Sequence, residues 1–522
     1  MVLGGCKVGP EYATPEASLA TSWTEAADAA TPQAVAVDWW KQFNDPTLDR
    51  LIEEAMRENL TLEAAGTRVL QARAARGITA AEFFPQVQQL NAGIDNNRIS
   101  ESSANGSGDR SFATSAITLD AVWELDFWGK YRRAIESSDA VLLATVADYQ
   151  AVMVSLLADV ASSYIQMRSF QERLALAREN VQLQTETLEL TRARFKAGAV
   201  SEFDVAIAQA LLSNTQALIP ELQDGLTKSR LSLCALLGRA PSDLIDLITP
   251  TGSVPAPPLS IAAGVPADLL RRRPDVRIAE RQAAAASALI GVARADLFPA
   301  ISIVGSTGFG ASNYEFGASS ASLDDIFSAG AFQGFVGLRV SIPFLDYGRR
   351  ENQVRVQDAR FQEAVANYKQ VVVNAAADVE AGLSTFLRAS EQVTALKSAV
   401  DAQQRSVNIS LIQYRAGAIG VLQVNFTQTD LVTQQDSLAV ARAARALGAV
   451  RAFRALGGGW ESRNTGEFVS AKAAEEMRAR TNWGDMLGPE YQDGRDVLFE
   501  RPRDDSAMSA ELPAEMPEPA RP

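Results

Sequence analysis

Catalysis or metal binding needs bases, nucleophiles or ligands that converge, and this chain of 522 residues carries 63 aspartates and glutamates but no histidine. It therefore lacks the commonest general base and the commonest zinc ligand. A pair of carboxylates could still hydrolyse a glycoside, yet no Asp or Glu pair stands apart from the charged faces of long helical patterns. The two cysteines lie too far apart for a disulfide framework or a metal knuckle. Cys234, within Leu233-Cys234-Ala235-Leu236-Leu237, reads as a small buried hydrophobe. No catalytic residue, cofactor or metal is expected, and the chain is not expected to be an enzyme. A net charge of −14 argues against nucleic acid, whose phosphates need a basic face.

Cys6 is different. It ends Leu3-Gly4-Gly5-Cys6, which resembles the tail of a bacterial lipoprotein signal, where small residues admit the peptidase and the sulfur receives lipid. Five preceding residues are too few for the charged and apolar parts of such a signal. Either the start is truncated or the match is chance. No run of about 18 apolar residues occurs, so no membrane-spanning helix is expected.

The elements that would position any chemistry are repeated. The stretch from Gly129 to Gly238 reappears at Gly348 to Gly457 at a constant offset of 219 residues, pairing Tyr149 with Tyr368 and Gln209 with Gln428. Apolar positions in both copies step by 4 and 3, as in Leu142, Val146, Tyr149, Met153, Leu156 and Val160. A sustained period of 3.5 is a coiled-coil seam. At about 1.5 Å per residue, a helix from Lys130 to Lys196 would be on the order of 100 Å long. Each such helix turns at Ala197-Gly198-Ala199 or Ala416-Gly417-Ala418, where glycine supplies the positive φ of a tight helical turn.

Before each long helix the period changes to two. Ile117, Leu119, Ala121 and Trp123 alternate with Thr118, Asp120 and Val122; Val336, Leu338, Val340 and Ile342 alternate with Gly337, Arg339 and Ser341. The chain thus divides into 1-38, an attachment site and extended segment; 39-238, the first repeat, with a β-hairpin at 84-126 and a coiled-coil hairpin at 129-238; 239-266, a Pro-rich linker; 267-457, the second repeat, with hairpins at 298-345 and 348-457; and 458-522, a C-terminal extension, partly disordered. The amphipathic stretch from Thr47 to about Gly77 reads as one helix starting at Asn44 or Asp45. Four strands per chain with one apolar face cannot close alone. If that face meets lipid, several chains must share a barrel.

Three motifs give this pattern a family. Leu269-Leu270-Arg271-Arg272-Arg273-Pro274-Asp275-Val276-Arg277, Trp39-Trp40 with Phe43 and Asp45-Pro46, and Cys6 with Val8-Gly9-Pro10-Glu11-Tyr12 make the chain similar to the outer membrane factors, the TolC-like efflux ducts, in their lipoprotein branch of OprM and NodT type. The resemblance runs from about Cys6 to Trp460. It implies a mixed α and β fold: a homotrimer whose four strands per chain form one twelve-stranded transmembrane β-barrel, continued by a periplasmic α-helical barrel. It also implies lipidation at Cys6, location in the outer membrane with contact to its lipid, and passive conduction of substrates from an inner-membrane pump. That pump would be of the proton-driven resistance-nodulation-division class, reached through a periplasmic adaptor docked at Ala197, Gly198, Ala199, Ala416, Gly417 and Ala418. Tyr414 and Asp204 match a linking pair of the closed aperture. Gln423 and Phe426 fall where TolC has two aspartates, and Ile419 where it has an arginine, so the constriction here is expected to be less charged and to gate by excluding water. A lipid-anchored periplasmic tether, or a duct for protein secretion, is the alternative. The strand pairs argue against the tether.

Overall fold

A computed structural model describes residues 7–17, 23–24, 30–31, 37–100, 102, 110–242, 244, 246–249, 251–262, 272–314, 322–463 and 467–488. Cys6, part of the 239-266 linker, the start of the Arg-rich motif and residues 489–522 lie outside this set.

The chain forms one unit twice. The first copy has α1 (Pro46–Glu58), α2 (Leu60–Ala81), β2 (Val87–Arg98), β3 (Ser111–Glu124), α3 (Lys130–Lys196) and α4 (Glu202–Leu236). The second has α5 (Pro274–Ala295), β5 (Ala300–Ser312), β6 (Phe332–Ser341), α6 (Arg349–Arg415) and α7 (Val421–Ala455), followed by α8 (Ala471–Arg480). Short strands β1 (Ala30–Thr31) and β4 (Ile261–Ala262) pair in parallel. Every boundary of α6 and α7 is that of α3 and α4 shifted by the expected 219 residues.

The stretch expected as a single helix from Thr47 is two helices. Asn59 leaves the helical region at φ −69, ψ 120, closes α1 with its own N–H, and accepts the Leu62 amide at 2.8 Å to start α2. Its side-chain amide also donates to the Leu236 carbonyl at the end of α4, so tertiary contact fixes the break. The expected start holds: Asp45 accepts the Thr47 and Leu48 amides, and Pro46 needs no donor at the first turn.

Two of the three family motifs, the Trp39 and Arg273 runs, are structural. Trp39 stacks on Phe453 at 5.2 Å, and Asp45 also receives the Tyr164 hydroxyl at 2.8 Å, which binds the first helix to α3 and α7. Burial pushes the Tyr164 hydroxyl up to about 12, consistent with a proton held between these partners. Arg273 donates to the carbonyls of Ala375 and Ala455 and to the carboxylates of Asp275 and Asp378, joining α5, α6 and the C-terminus of α7. Cys234 is buried in the same core cluster as Phe453, its counterpart in the second repeat.

An 18-residue window of α3 is apolar enough to cross a membrane by composition, but half of it is buried within the fold. The apolarity belongs to the central core, where Leu142, Met153, Leu157, Val160 and Ile165 meet α1 and α7. Beyond Trp460 the described residues include α8, capped by Ser470, and Val469, Ala474 and Leu487 pack with Leu70 of α2.

The strands form one antiparallel sheet in the order β2-β3-β5-β6. Its register puts Leu90, Leu119 and Thr307 in one row and Trp123, Ile303 and Leu338 in another, all on one face. Asn91, Thr118 and Gln333 share a row on the opposite face, where Asn91 donates to Asp120 at 2.6 Å. The face carrying Leu90, Ile94, Leu119, Val336, Leu338 and Val340 is solvent-exposed in the single chain. Edges β2 and β6 are unpaired among the described residues, leaving two open rows of backbone donors and acceptors.

Candidate functional site at the hairpin tips

The two coiled-coil hairpins end in the same turn. At the first, the Gly198 amide bonds the Phe195 carbonyl and the Ala199 amide bonds the Arg194 carbonyl, both at 2.9 Å; Gly198 has φ +71. At the second, Gly417 bonds Tyr414 and Ala418 bonds Gln413, again at 2.9 Å, with φ +78 at Gly417. This double closure is the Schellman arrangement, which satisfies the last carbonyls of a helix and needs a left-handed residue. Ala197, Gly198, Ala199, Ala416, Gly417 and Ala418 are all exposed. A Cβ on Gly198 would meet nothing within 4 Å, so the glycine is required by conformation and not by crowding.

Above the turns the hairpins clasp each other around Tyr414. Its side chain is fully buried, and its hydroxyl shares a hydrogen bond of 3.0 Å with the equally buried Thr191. Arg194 donates to the Tyr414 carbonyl at 2.5 Å, and its guanidinium lies over the phenol ring, 4.7 Å from the centroid. A cation at the C-terminus of α6 suits the helix dipole, while the ring face attracts the same charge. Leu188, Ala208, Leu212, Val421 and Val424 pack around the phenol, so all four helices meet there.

Asp204 is not part of this clasp. It closes a capping box: its amide bonds the Ser201 hydroxyl, and its carboxylate accepts the Ser201 amide at 2.9 Å and hydroxyl at 2.7 Å. The Tyr414–Asp204 pair implied by family resemblance is therefore not made within the chain. Position in sequence suggested the pair because both residues lie near a tip. The lateral register of α3 against α6 instead gives Tyr414 to Thr191 and Arg194. Neither had a sequence signal beyond Arg194 being a basic residue in the last turn of α3.

Gln423 and Phe426 lie on the exposed side of α7, with Leu422 beside them, while Val421, Val424 and Asn425 face inward. Phe426 is 62% exposed. Farther from the tip the contact between α3 and α7 becomes polar: Gln428 donates to Thr187 at 2.9 Å and Asn180 to Gln435 at 2.7 Å. Arg173 forks onto Asp436 at 2.6 and 3.0 Å, and Arg442 reaches Glu172 at 2.6 Å. Gln184 and Asn425 are buried in this seam with both amide atoms unpartnered. No group of histidine, cysteine and carboxylates that could hold a metal occurs among the described residues.

Comparison with known proteins fits this geometry. The model of the family described as "Outer membrane efflux protein" matches residues 51–239 and 265–458, which together are most of the chain and follow its two repeats. Nodulation protein T of Rhizobium leguminosarum bv. trifolii is 32% identical over 441 residues, covering 84% of this chain and 91% of that protein. The pyoverdine export outer membrane protein OpmQ of Pseudomonas aeruginosa is 30% identical over 89% of this chain and 96% of its own length. The solved structure of the outer-membrane channel OprN superposes with a TM-score of 0.81 at 34% identity, covering 87% of this chain and all of that one.

Proposed function

The chain belongs to the outer membrane efflux protein family, whose members are channels and not enzymes, and from that premise we propose how its parts divide the work. It is an outer-membrane efflux channel, and relatives named as components of efflux pumps imply partners in a multi-part pump. Three copies close one barrel, each edge β6 pairing with the β2 of the next chain. The observation that carries this is the four-stranded sheet with one largely apolar, exposed face and two edges unpaired among the described residues. In hydrocarbon such edges must be paired, and barrels of fewer than about eight strands do not occur.

The paired turns at Gly198 and Gly417 dock a periplasmic adaptor, which links the duct to an inner-membrane pump of the resistance-nodulation-division class. Tyr414, held by Thr191 and Arg194, keeps the hairpins together in the closed state. Gln423 and Phe426 line the narrowed aperture, where an apolar ring excludes ions by dewetting. Asp204 caps the start of α4 and takes no part in holding that state. Cys6 carries lipid that adds a second attachment to the outer membrane.

Mass measurement of the detergent-solubilised protein tests the shared barrel. The expected species has three times the chain mass of 56.0 kDa. A monomer with full strand content would end the proposal.

A further inference from the structure

The segment from Lys7 to Ala17 is built into the fold. Its organiser is Arg133, in the first turns of α3, whose side chain is 0% exposed. The guanidinium donates to the Val8 carbonyl at 3.1 Å, the Gly9 carbonyl at 3.3 Å, the Glu11 carboxylate at 2.8 Å and the Glu136 carboxylate at 2.9 Å. Glu136 in turn accepts Lys7 at 2.6 Å. Three of the four acceptors thus belong to the N-terminal segment. A fully buried cation whose partners are supplied so largely by one segment makes that segment's docking necessary, because a buried charge without partners is strongly unfavourable.

The fit is also steric. Gly9 has φ +101, and a Cβ there would stand 2.5 Å from the Cα of Gly291 in α5. A Cβ on Gly291 would in turn strike the Arg133 side chain at 2.7 Å. Two glycines and one arginine therefore interlock. Farther along, Tyr12 donates to the Glu280 carbonyl and Thr14 to the Glu280 carboxylate.

The docked segment ends at the foot of the sheet. The Val8 amide bonds the Trp128 carbonyl at 3.1 Å, and the Cα of Lys7 lies 3.0 Å from where a Gly129 Cβ would be. Trp128 stacks on Phe298 at 4.6 Å and meets Phe127 at 4.9 Å, forming an aromatic cluster where the apolar strands give way to helix. Aromatic residues at that level mark a membrane interface.

We infer that Arg133 is the positioning residue of the membrane anchor: by locking residues 7–11 to α3 and α5, it fixes Lys7, the neighbour of Cys6 in sequence, at the foot of the sheet. Acyl chains on Cys6 then enter the periplasmic leaflet of the outer membrane beside Trp128. The inference rests on the reading of Cys6 as lipidated. The partner is the phospholipid acyl layer.

The test uses the full-length exported protein in lipid nanodiscs. Mass spectrometry of the N-terminal peptide first reports whether Cys6 is acylated, which judges the lipidation reading by itself. Amide exchange then compares the parent with Arg133→Met and Arg133→Lys. Exchange at residues 8–14 should rise by at least about tenfold in Arg133→Met, fall back partly in Arg133→Lys, and leave strand amides 111–124 unchanged. A benzophenone side chain in place of Lys7 should cross-link phospholipid in the parent and lose that product when Arg133→Met is added. Unchanged exchange at residues 8–14 would overturn the inference, as would equal loss of protection in the strands or cross-linking indifferent to Arg133.

Discussion

The hydroxyls of Tyr414 and Thr191 lie 3.0 Å apart with neither side chain exposed, so one chain's two hairpins are tied together near their tips by a buried hydrogen bond. Such a bond contributes roughly 0.5–1.5 kcal/mol, and the charged contact from Arg194 to the Tyr414 carbonyl adds roughly 1.5–3 kcal/mol at most, less where water competes. If three chains share a barrel as proposed, the closed arrangement would gain several such contributions.

Asp204 should behave as a cap and not as a lock. Asp204→Ala removes the reciprocal bonds with Ser201 and should cost about 1 kcal/mol of local helix stability. Thermal melting would read that loss while single-channel conductance stays at the parent value. A large increase in conductance from Asp204→Ala alone would restore the Tyr414–Asp204 link, formed between chains.

The tips can be changed without unmaking the channel. A side chain at Gly198 or Gly417 enters largely open space, and only the left-handed backbone resists, at roughly 1–2 kcal/mol. Gly198→Trp and Gly417→Trp should therefore assemble normally yet impair export by cells if, as proposed, an adaptor docks at these turns. Full resistance in cells carrying either variant would reduce these glycines to turn formers.

The seam between α3 and α7 is costly as built. Gln184 and Asn425 are already 2% and 5% exposed in the single chain, so a neighbouring chain cannot supply their missing partners. Unpaired buried amides each cost about 1–3 kcal/mol. Gln184→Leu together with Asn425→Leu should raise the unfolding temperature of the isolated channel and make opening rarer. A lower unfolding temperature would mean that ordered water fills the seam.

An aperture lined by Gln423 and Phe426 has no group that titrates near neutrality, and the chain has no histidine. Closed-state conductance should change by less than about twofold between pH 6 and pH 8. Phe426→Ala should increase ion leakage across that whole range by removing the apolar seal. Leakage that depends steeply on pH would place the constriction at carboxylates elsewhere.

Much of this architecture is readable from one dimension. A 3.5-residue period and an unbroken offset locate α3, α4, α6 and α7 because a coiled coil repeats the same local physics over tens of residues. Alternation locates the strands, and the pairing of Leu119 with Leu90 agrees with the face assigned from period alone. The break at Asn59 had a signal, since asparagine is a strong cap, but it was hidden inside a continuous amphipathic pattern. Arg194 and Thr191 were not readable, because their roles depend on how α3 sits beside α6, and sideways register between distant helices leaves no periodic mark. The strongest family motifs, at Trp39 and Arg273, turned out to secure the core far from the tips. They identify the fold without pointing to the aperture.

The clasp around Tyr414 is tested most directly by recording single channels in planar bilayers from a double variant, Tyr414→Phe with Arg194→Ala. Removing the hydroxyl and the guanidinium leaves the apolar packing of the phenyl ring against Leu188 and Val424 in place. If this clasp holds the aperture shut, open events should become at least about tenfold more frequent, with larger conductance and entry of bulky antibiotics into cells. A correctly assembled double variant with the parent's conductance and opening frequency would contradict the account, placing the closure outside the Thr191–Arg194–Tyr414 contact.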